Sequence, residues 1–281
     1  MITHAKLHEI LAANSFLMAM TEHADNHPFI VVFRETGRTN NSEPEPCADD
    51  GTNNCDSILL VGHRDDPIVP LEGRSLPHDR YQARMVAGTQ RANYIATGHY
   101  YRCWMKGHHY AGGRDYGPAL RQVQKFQIWR SRDMDLGDDD DYSELDLVGD
   151  NFHGMAPWSA GCVTVEGRMT PARTGQWAYA VNWLYHDHDY RQYFSAVILN
   201  HSDLDAPRRL RIGSVGNGVQ RVQEALVQAA LPTVPDSHFG PHVFDQVREF
   251  QRQHDLKDDG IVGPETAAAM AFYTGQDPLG Y

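Results

Sequence analysis

Residues 201–209, H-S-D-L-D-A-P-R-R, separate two hydrophobic patterns of different period, and no single layered domain accommodates both. Upstream, the apolar residues come in short runs such as F-I-V-V-F (Phe29–Phe33) and S-I-L-L-V (Ser57–Val61). Polar, Pro- and Gly-rich stretches such as T-G-R-T-N-N-S-E-P-E-P divide these runs. Downstream, Val219, Val222, Leu226 and Ala229 fall on one helical face, and Val243, Val247 and Phe250 on another. Pro232 and Pro235 break the chain between them. The segment at the junction is polar and contains Pro207, so it reads as a linker. The prediction is a β-dominated domain with few helices over 1–205 and a small all-α domain over 206–281.

Within the first domain, further strands are predicted at Tyr81–Ala87, Tyr100–Met105, Lys125–Trp129 and Cys162–Val165. A helix is predicted over Gly175–Tyr185 and a closing strand at 194–200. Of 281 residues, 25 are Lys or Arg and 37 Asp or Glu, a net charge of −12 that argues against nucleic acid as a partner. No apolar run reaches the ~18 residues of a membrane span. In the first twenty residues Leu7, Ile10, Leu11 and Leu17 recur at helical spacing, with Lys6, His8 and Glu9 between them. That predicts an amphipathic helix rather than a signal peptide, so work outside the cytoplasm would need non-classical delivery. Four cysteines are too few for a disulfide scaffold; Cys47 and Cys55 bracket a polar loop and could pair in an oxidising compartment.

The C-terminal region runs G-N-G-V-Q-R-V-Q, then H-F-G-P-H-V-F-D-Q-V-R-E-F-Q, then D-G-I-V-G-P-E-T. This order closely resembles the peptidoglycan-binding type 1 domain, a three-helix wall-binding module, over roughly 210–272. Gly240 and Gly263 are expected at backbone sites that exclude a side chain, Pro241 and Pro264 at helix first turns, and Phe250 and Ile261 in the core. The resemblance implies peptidoglycan as the partner.

The chemistry concentrates in N-F-H-G-M-A-P-W-S-A-G-C, where His153 and Cys162 stand nine positions apart. A thiol nucleophile needs a base within hydrogen-bond reach and donors for the oxyanion. Gly161 and Cys162 offer backbone N–H groups, and a hairpin-like loop could return the His153 ring to the sulfur. The same residues are compatible with a buried structural cysteine, or with a metal corner completed by His108 or His109.

H-G followed by S-x-G-C resembles the active-site signature of the L,D-transpeptidase (YkuD-type) fold, a β-sandwich. The resemblance implies Cys162 as nucleophile and His153 as base, its ring oriented by the Gly154 carbonyl, with Ser159 and Gly161 in the signature turn. Ala160 and Thr164 depart from the pattern of cross-linking enzymes. A divergent set of phage and bacterial wall-active proteins is more similar. Its ordered segments correspond here to A-G-T (87–89), G-H-Y (98–100), G-H-H-Y (107–110), A-L-R-Q (119–122), I-W-R-S-R-D-M-D (128–135), N-F-H-G and W-S-A-G-C. That likeness suggests His109 as a substrate-binding group, with Tyr100, Arg121 and Trp158 walling the cleft.

The resemblance implies a cysteine peptidoglycan peptidase, hydrolysis as an L,D-carboxy- or endopeptidase being expected over transpeptidation. No cofactor is expected. A phage lysin or a delivered antibacterial effector is the expected setting, monomeric, with a secretion apparatus or an immunity protein as further partners. A non-catalytic wall-binding protein and a metal-dependent peptidase are the alternatives. The acidic run 133–146 places Asp133, Asp135, Asp139 and Asp141 at alternating positions around Gly137, which suggests calcium, but the full twelve-residue loop pattern is absent.

Overall fold

A computed structural model describes residues 2–34, 56–77, 93–130, 141–154, 159–169 and 174–280. Contacts divide the chain into two compact units. The first is formed chiefly by Glu22–Ala96 and Tyr100–His201, the second by His4–Thr21, Thr97–His99 and Ser202–Tyr281. The N-terminal stretch predicted to belong with the β domain thus clusters with the C-terminal region.

The first unit is built on β1 (Phe29–Arg34), β2 (Asp56–Val61), β3 (Val69–Arg74), β4 (Tyr94–Ile95), β5 (Gly98–Ala111), β6 (Arg114–Gln122), β7 (Phe126–Arg130), β8 (Tyr142–Asp146), β9 (Phe152–Gly154), β10 (Val163–Val165) and β11 (Tyr193–Asn200). Where a two-sheet sandwich is expected, the main sheet closes into an eight-stranded barrel, β1-β11-β5-β6-β9-β10-β3-β2. Strand β1 shows why. It is buried along its whole length and pairs parallel with β11 on one side and antiparallel with β2 on the other. A strand flanked and covered in this way reads as continuous hydrophobicity, which F-I-V-V-F provides. Strands β4, β7 and β8 form a separate three-stranded sheet.

Strands β9 and β10 are parallel neighbours, with Thr164 opposite His153. This corrects the expected hairpin, which would join antiparallel neighbours. The strand expected at Tyr81–Ala87, the A-G-T segment, Cys47, Cys55 and the calcium candidates Asp133, Asp135 and Asp139 lie outside the described residues. After β10 come α3 (Gly175–Asn182) and a π-helical turn, Trp183–Asp187 (α1 and α2 being His4–Ala13 and Leu17–Ala24).

In the second unit, α4 (Asn217–Gln228), α5 (Pro241–Gln253) and α6 (Pro264–Thr274) carry the three-helix pattern. Val219, Val222, Leu226, Val247 and Phe250 are fully buried, as their spacing requires. Val262, not Ile261, is the fully buried member of the D-G-I-V-G turn. Gly240 and Gly263 are extended helix N-caps with open space around them, whereas Gly260 adopts a φ of +71° against the Phe244 ring.

The stretch read as a linker contributes Asp203 and Arg209 to an ion knot with Arg211. Asp203 has no exposed surface and accepts two hydrogen bonds from Arg211, at 2.7 and 3.0 Å, and one from Arg209 at 2.9 Å.

Candidate active site

Three strands of the barrel converge on Cys162. His109 comes from β5, His153 from the middle of β9, and Cys162 from the residue before β10. A ring nitrogen of each histidine and the Cys162 sulfur lie within 4.8 Å of one another. The two imidazoles stack, with centroids 4.2 Å apart and planes 27° from parallel. His153 is 2% exposed, and Cys162 is a half-buried free thiol.

Each member is held by its neighbours. His153 Nδ1 donates to the Gly154 carbonyl at 2.6 Å; a carbonyl can only accept, so Nδ1 carries the proton and Nε2 keeps its lone pair. Gly154 allows this because its α-carbon faces the Trp177 indole: a Cβ there would sit 2.6 Å from Trp177 Cγ. The Ser159 hydroxyl accepts from the Gly161 N–H at 3.1 Å and donates to the Cys162 carbonyl at 3.0 Å, which closes the turn ahead of the thiol. The Cys162 thiol points to the Gly149 carbonyl, 3.7 Å away.

Beneath this turn lies a buried carboxyl, Asp150, bonded to the Asn93 amide. The Asn93 backbone N–H donates to the Ala160 carbonyl at 3.0 Å. A Cβ on Gly161 would meet Asp150 Oδ1 at 2.7 Å, so glycine is required for the close approach. Gln122 organises the segment before β9: its side-chain oxygen accepts from the N–H groups of Gly149 (2.8 Å) and Asp150 (3.0 Å), and its own N–H donates to Asn151 Oδ1 at 3.0 Å.

Burial dominates the proton equilibria. It pushes Asp150 up to about 7, against the Asn93 hydrogen bond and the charges of Arg130 and Arg34. It pushes the Cys162 thiol up to about 12, helped by the Asp150 charge and opposed by the N–H groups of Asn151 and Cys162 itself. It pulls His153 down to about 3, with His109 acting in the same direction, and holds His109 below its ordinary value. At neutral pH the pair is therefore thiol and neutral imidazole, not thiolate and imidazolium. A neutral imidazole with a free Nε2 lone pair can take a proton as a thiol attacks.

The sequence-predicted residues divide. Cys162, His153, Gly154, Ser159, Gly161 and His109 come together. His108 does not: it is exposed and bonds to Asp115 at 2.8 Å. Tyr100 is a core residue, 4% exposed, its hydroxyl donating to the Ala96 carbonyl at 2.6 Å within a cluster of Trp104 and Phe126. Arg121 is exposed on β6 with its stem beside Gly107. Trp158 lies outside the described residues. The Gly161 N–H, expected as an oxyanion donor, is engaged by Ser159.

Sequence reasoning missed Asp150, Asn151, Gln122 and Asn93. Two of them, Gln122 and Asn151, stood in segments already singled out, A-L-R-Q and N-F-H-G, but nothing in spacing distinguishes a supporting amide from a solvated one.

Two imidazoles and a thiol have the composition of a zinc site. A His109 nitrogen turned to a metal would need its other nitrogen to donate, yet His109 Nδ1 lies 3.0 Å from the Asn151 amide nitrogen, itself a donor.

Among known families, residues 215–270 match the model described as putative peptidoglycan binding domain. That places a peptidoglycan-binding domain at the C-terminal end and supports association with the cell wall. No curated protein and no solved structure matches the chain. Among the described residues no helix is long and apolar enough to cross a membrane.

Proposed function

We propose that the barrel unit is a cysteine-dependent peptidoglycan peptidase related to the YkuD-type L,D-transpeptidases, tethered to its substrate by the C-terminal domain. The observation that carries this reading is the convergence of Cys162 with His153, whose Nδ1–H is fixed on the Gly154 carbonyl so that Nε2 keeps the lone pair of a base. In the reaction, the sulfur attacks a stem-peptide carbonyl as His153 Nε2 takes the thiol proton. The C–N bond then breaks, His153 returns the proton to the leaving amine, and water resolves the thioester. Hydrolysis by an L,D-carboxy- or endopeptidase is favoured over transpeptidation, because Ala160 and Thr164 replace residues of the cross-linking pattern. Delivery to the wall as a phage lysin or an antibacterial effector suits this activity.

The test is mass spectrometry of products from purified sacculi treated with the wild-type chain and with Cys162→Ala. Wild type releases stem-peptide fragments and the variant releases none; identical products from both would remove the thiol mechanism. The wall-binding alternative has one observation in its favour, since a thiol pushed up to about 12 by burial suits an inert cysteine. It predicts binding to sacculi without products from either chain.

A further inference from the structure

The two histidines of the site are held in opposite tautomers by different partners. For His153 the partner is a carbonyl, so Nδ1 donates. For His109 the partner is the Asn151 side-chain amide, 3.0 Å from Nδ1. The orientation of that amide is fixed from the other side. The Gln122 backbone N–H can only donate, and it bonds the Asn151 side chain at 3.0 Å, so the atom it meets is Oδ1 and the atom facing His109 is the NH2 group. His109 Nδ1 must then accept, and a neutral His109 carries its proton on Nε2. Burial keeps the ring neutral by holding His109 below its ordinary value.

An attacking thiol creates an oxyanion one bond away from the carbon that joins Sγ. Backbone donors are reduced here, because the Gly161 N–H is engaged by Ser159 Oγ. His109 has a nitrogen within 4.8 Å of Sγ. That is close enough for a hydrogen bond of about 2.8 Å to an oxygen on the carbon bonded to sulfur. We infer that His109 is a neutral catalytic donor to the oxyanion, presenting Nε2–H to the reacting carbonyl, and that Asn151 is the positioning residue that imposes this tautomer. The inference rests on the thiol-peptidase reading above. No proton leaves His109 in the cycle. His153 carries the thiol proton to the leaving amine, while the His109 N–H bonds the oxygen as the C=O pair moves onto it and relaxes as the thioester forms.

Three measurements on the full chain test this. The first needs no activity: long-range nitrogen-15 NMR of the imidazoles in the Cys162→Ala chain, with His109 assigned by difference from a Cys162→Ala/His109→Gln chain. Protonation at His109 Nε2 is expected, and protonation at Nδ1 would overturn the proposal even if every variant were too poorly folded to assay. The second is turnover of muropeptides released from sacculi. His109→Ala is expected to lower kcat by about 10²–10³-fold with KM nearly unchanged. Asn151→Asp keeps the acceptor for the Gln122 N–H but offers a second acceptor to His109 Nδ1, and should lower kcat as well. Wild-type kcat in His109→Ala would sink the oxyanion role while leaving Cys162 and His153 in place. The third is alkylation of Cys162 by iodoacetamide, a displacement that forms no oxyanion. His109→Ala should react within about twofold of wild type; a fall parallel to kcat would make His109 a thiol-activating group instead. Loss of activity in Cys162→Ala alone tests the underlying reading, so the two failures are separable. Stoichiometric zinc binding that requires His109, His153 and Cys162 together would overturn the assigned tautomer.

Discussion

Each unit buries a cluster of ionisable groups, and these two clusters handle them in opposite ways. In the C-terminal unit Asp203 is sealed from solvent but met by Arg211 and Arg209, so its charge is balanced where it sits. In the barrel, buried Asp150 and His153 and the half-buried Cys162 meet amides, carbonyls and one another, and their proton equilibria move. A balanced buried charge holds a structure together. Unbalanced buried groups keep protons that a reaction can move, at a cost in stability. The difference separates a cluster built for folding from one suited to catalysis.

The contrast breaks most sharply at Asp203. Asp203→Ala leaves the Arg211 guanidinium buried without its carboxylate, which costs about 3–5 kcal/mol. Denaturant unfolding should show an earlier midpoint, reported by tryptophan-free signals of the C-terminal helices such as far-ultraviolet circular dichroism. The rate at which iodoacetamide modifies Cys162 under native conditions should be unchanged. A loss below about 1 kcal/mol would mean that the ion knot is a solvated cluster of the kind found on surfaces.

A second contrast lies within the helical domain, between glycines that look alike in sequence. Gly260 combines a φ of +71° with an α-carbon packed on the Phe244 ring, so Gly260→Ala pays both left-handed strain and displacement of an aromatic. The expected loss is about 2–3 kcal/mol. Gly240→Ala adds a methyl to open space and loses only the N-cap preference of glycine over alanine, so it should cost about 0.5–1 kcal/mol. Thermal unfolding of both variants checks the ranking, and equal losses would refute the conformational account.

These glycines also show what was legible in the sequence. The helical domain could be recognised because its signals are local: apolar spacing over a turn or two, Gly-Pro helix starts, and a turn before the last helix. Even so, the sequence could not tell which glycine is strained, because φ depends on how the chain returns to Phe244. The barrel was legible only as strands. Its closure depends on β1 meeting β11 across more than 160 residues, and its site on β5, β9 and β10 becoming neighbours. His153 and Cys162 were visible through their short separation, and His109 through an ordered likeness. Asp150, Asn151 and Gln122 were not, because an amide or carboxyl gains its role from the groups it faces. The polar 201–209 stretch misled for the same reason at one residue: composition suggested solvent, and pairing with Arg211 and Arg209 buried Asp203.

The smallest effect tests the barrel side of the comparison. Alkylation requires the thiolate, and the Cys162 thiol is pushed up to about 12. The iodoacetamide rate should therefore climb with pH from 6 to 10 without reaching a plateau, about tenfold per pH unit away from pH 7. The Asp150 carboxyl, pushed up to about 7, is neutral below that pH and charged above it. Once charged, it opposes the thiolate, so the slope should slacken as pH rises through 7. Asp150→Asn is uncharged at every pH and keeps the amide shape. It should match wild type at pH 6, straighten the profile, and react about tenfold faster at pH 9, the equivalent of one pKa unit or ~1.4 kcal/mol. The stability signs follow from the same two groups. Asp150, raised in the folded state, favours folding less as pH rises from about 4 to 7, and Asp150→Asn removes that slope. His153, lowered to about 3 in the folded state, contributes stability above about 6.5 that is lost as pH falls toward 3. A Cys162 alkylation profile that is identical in wild type and Asp150→Asn would show that the carboxyl does not act on the sulfur, and the barrel cluster would lose the feature that sets it apart from the Asp203 knot.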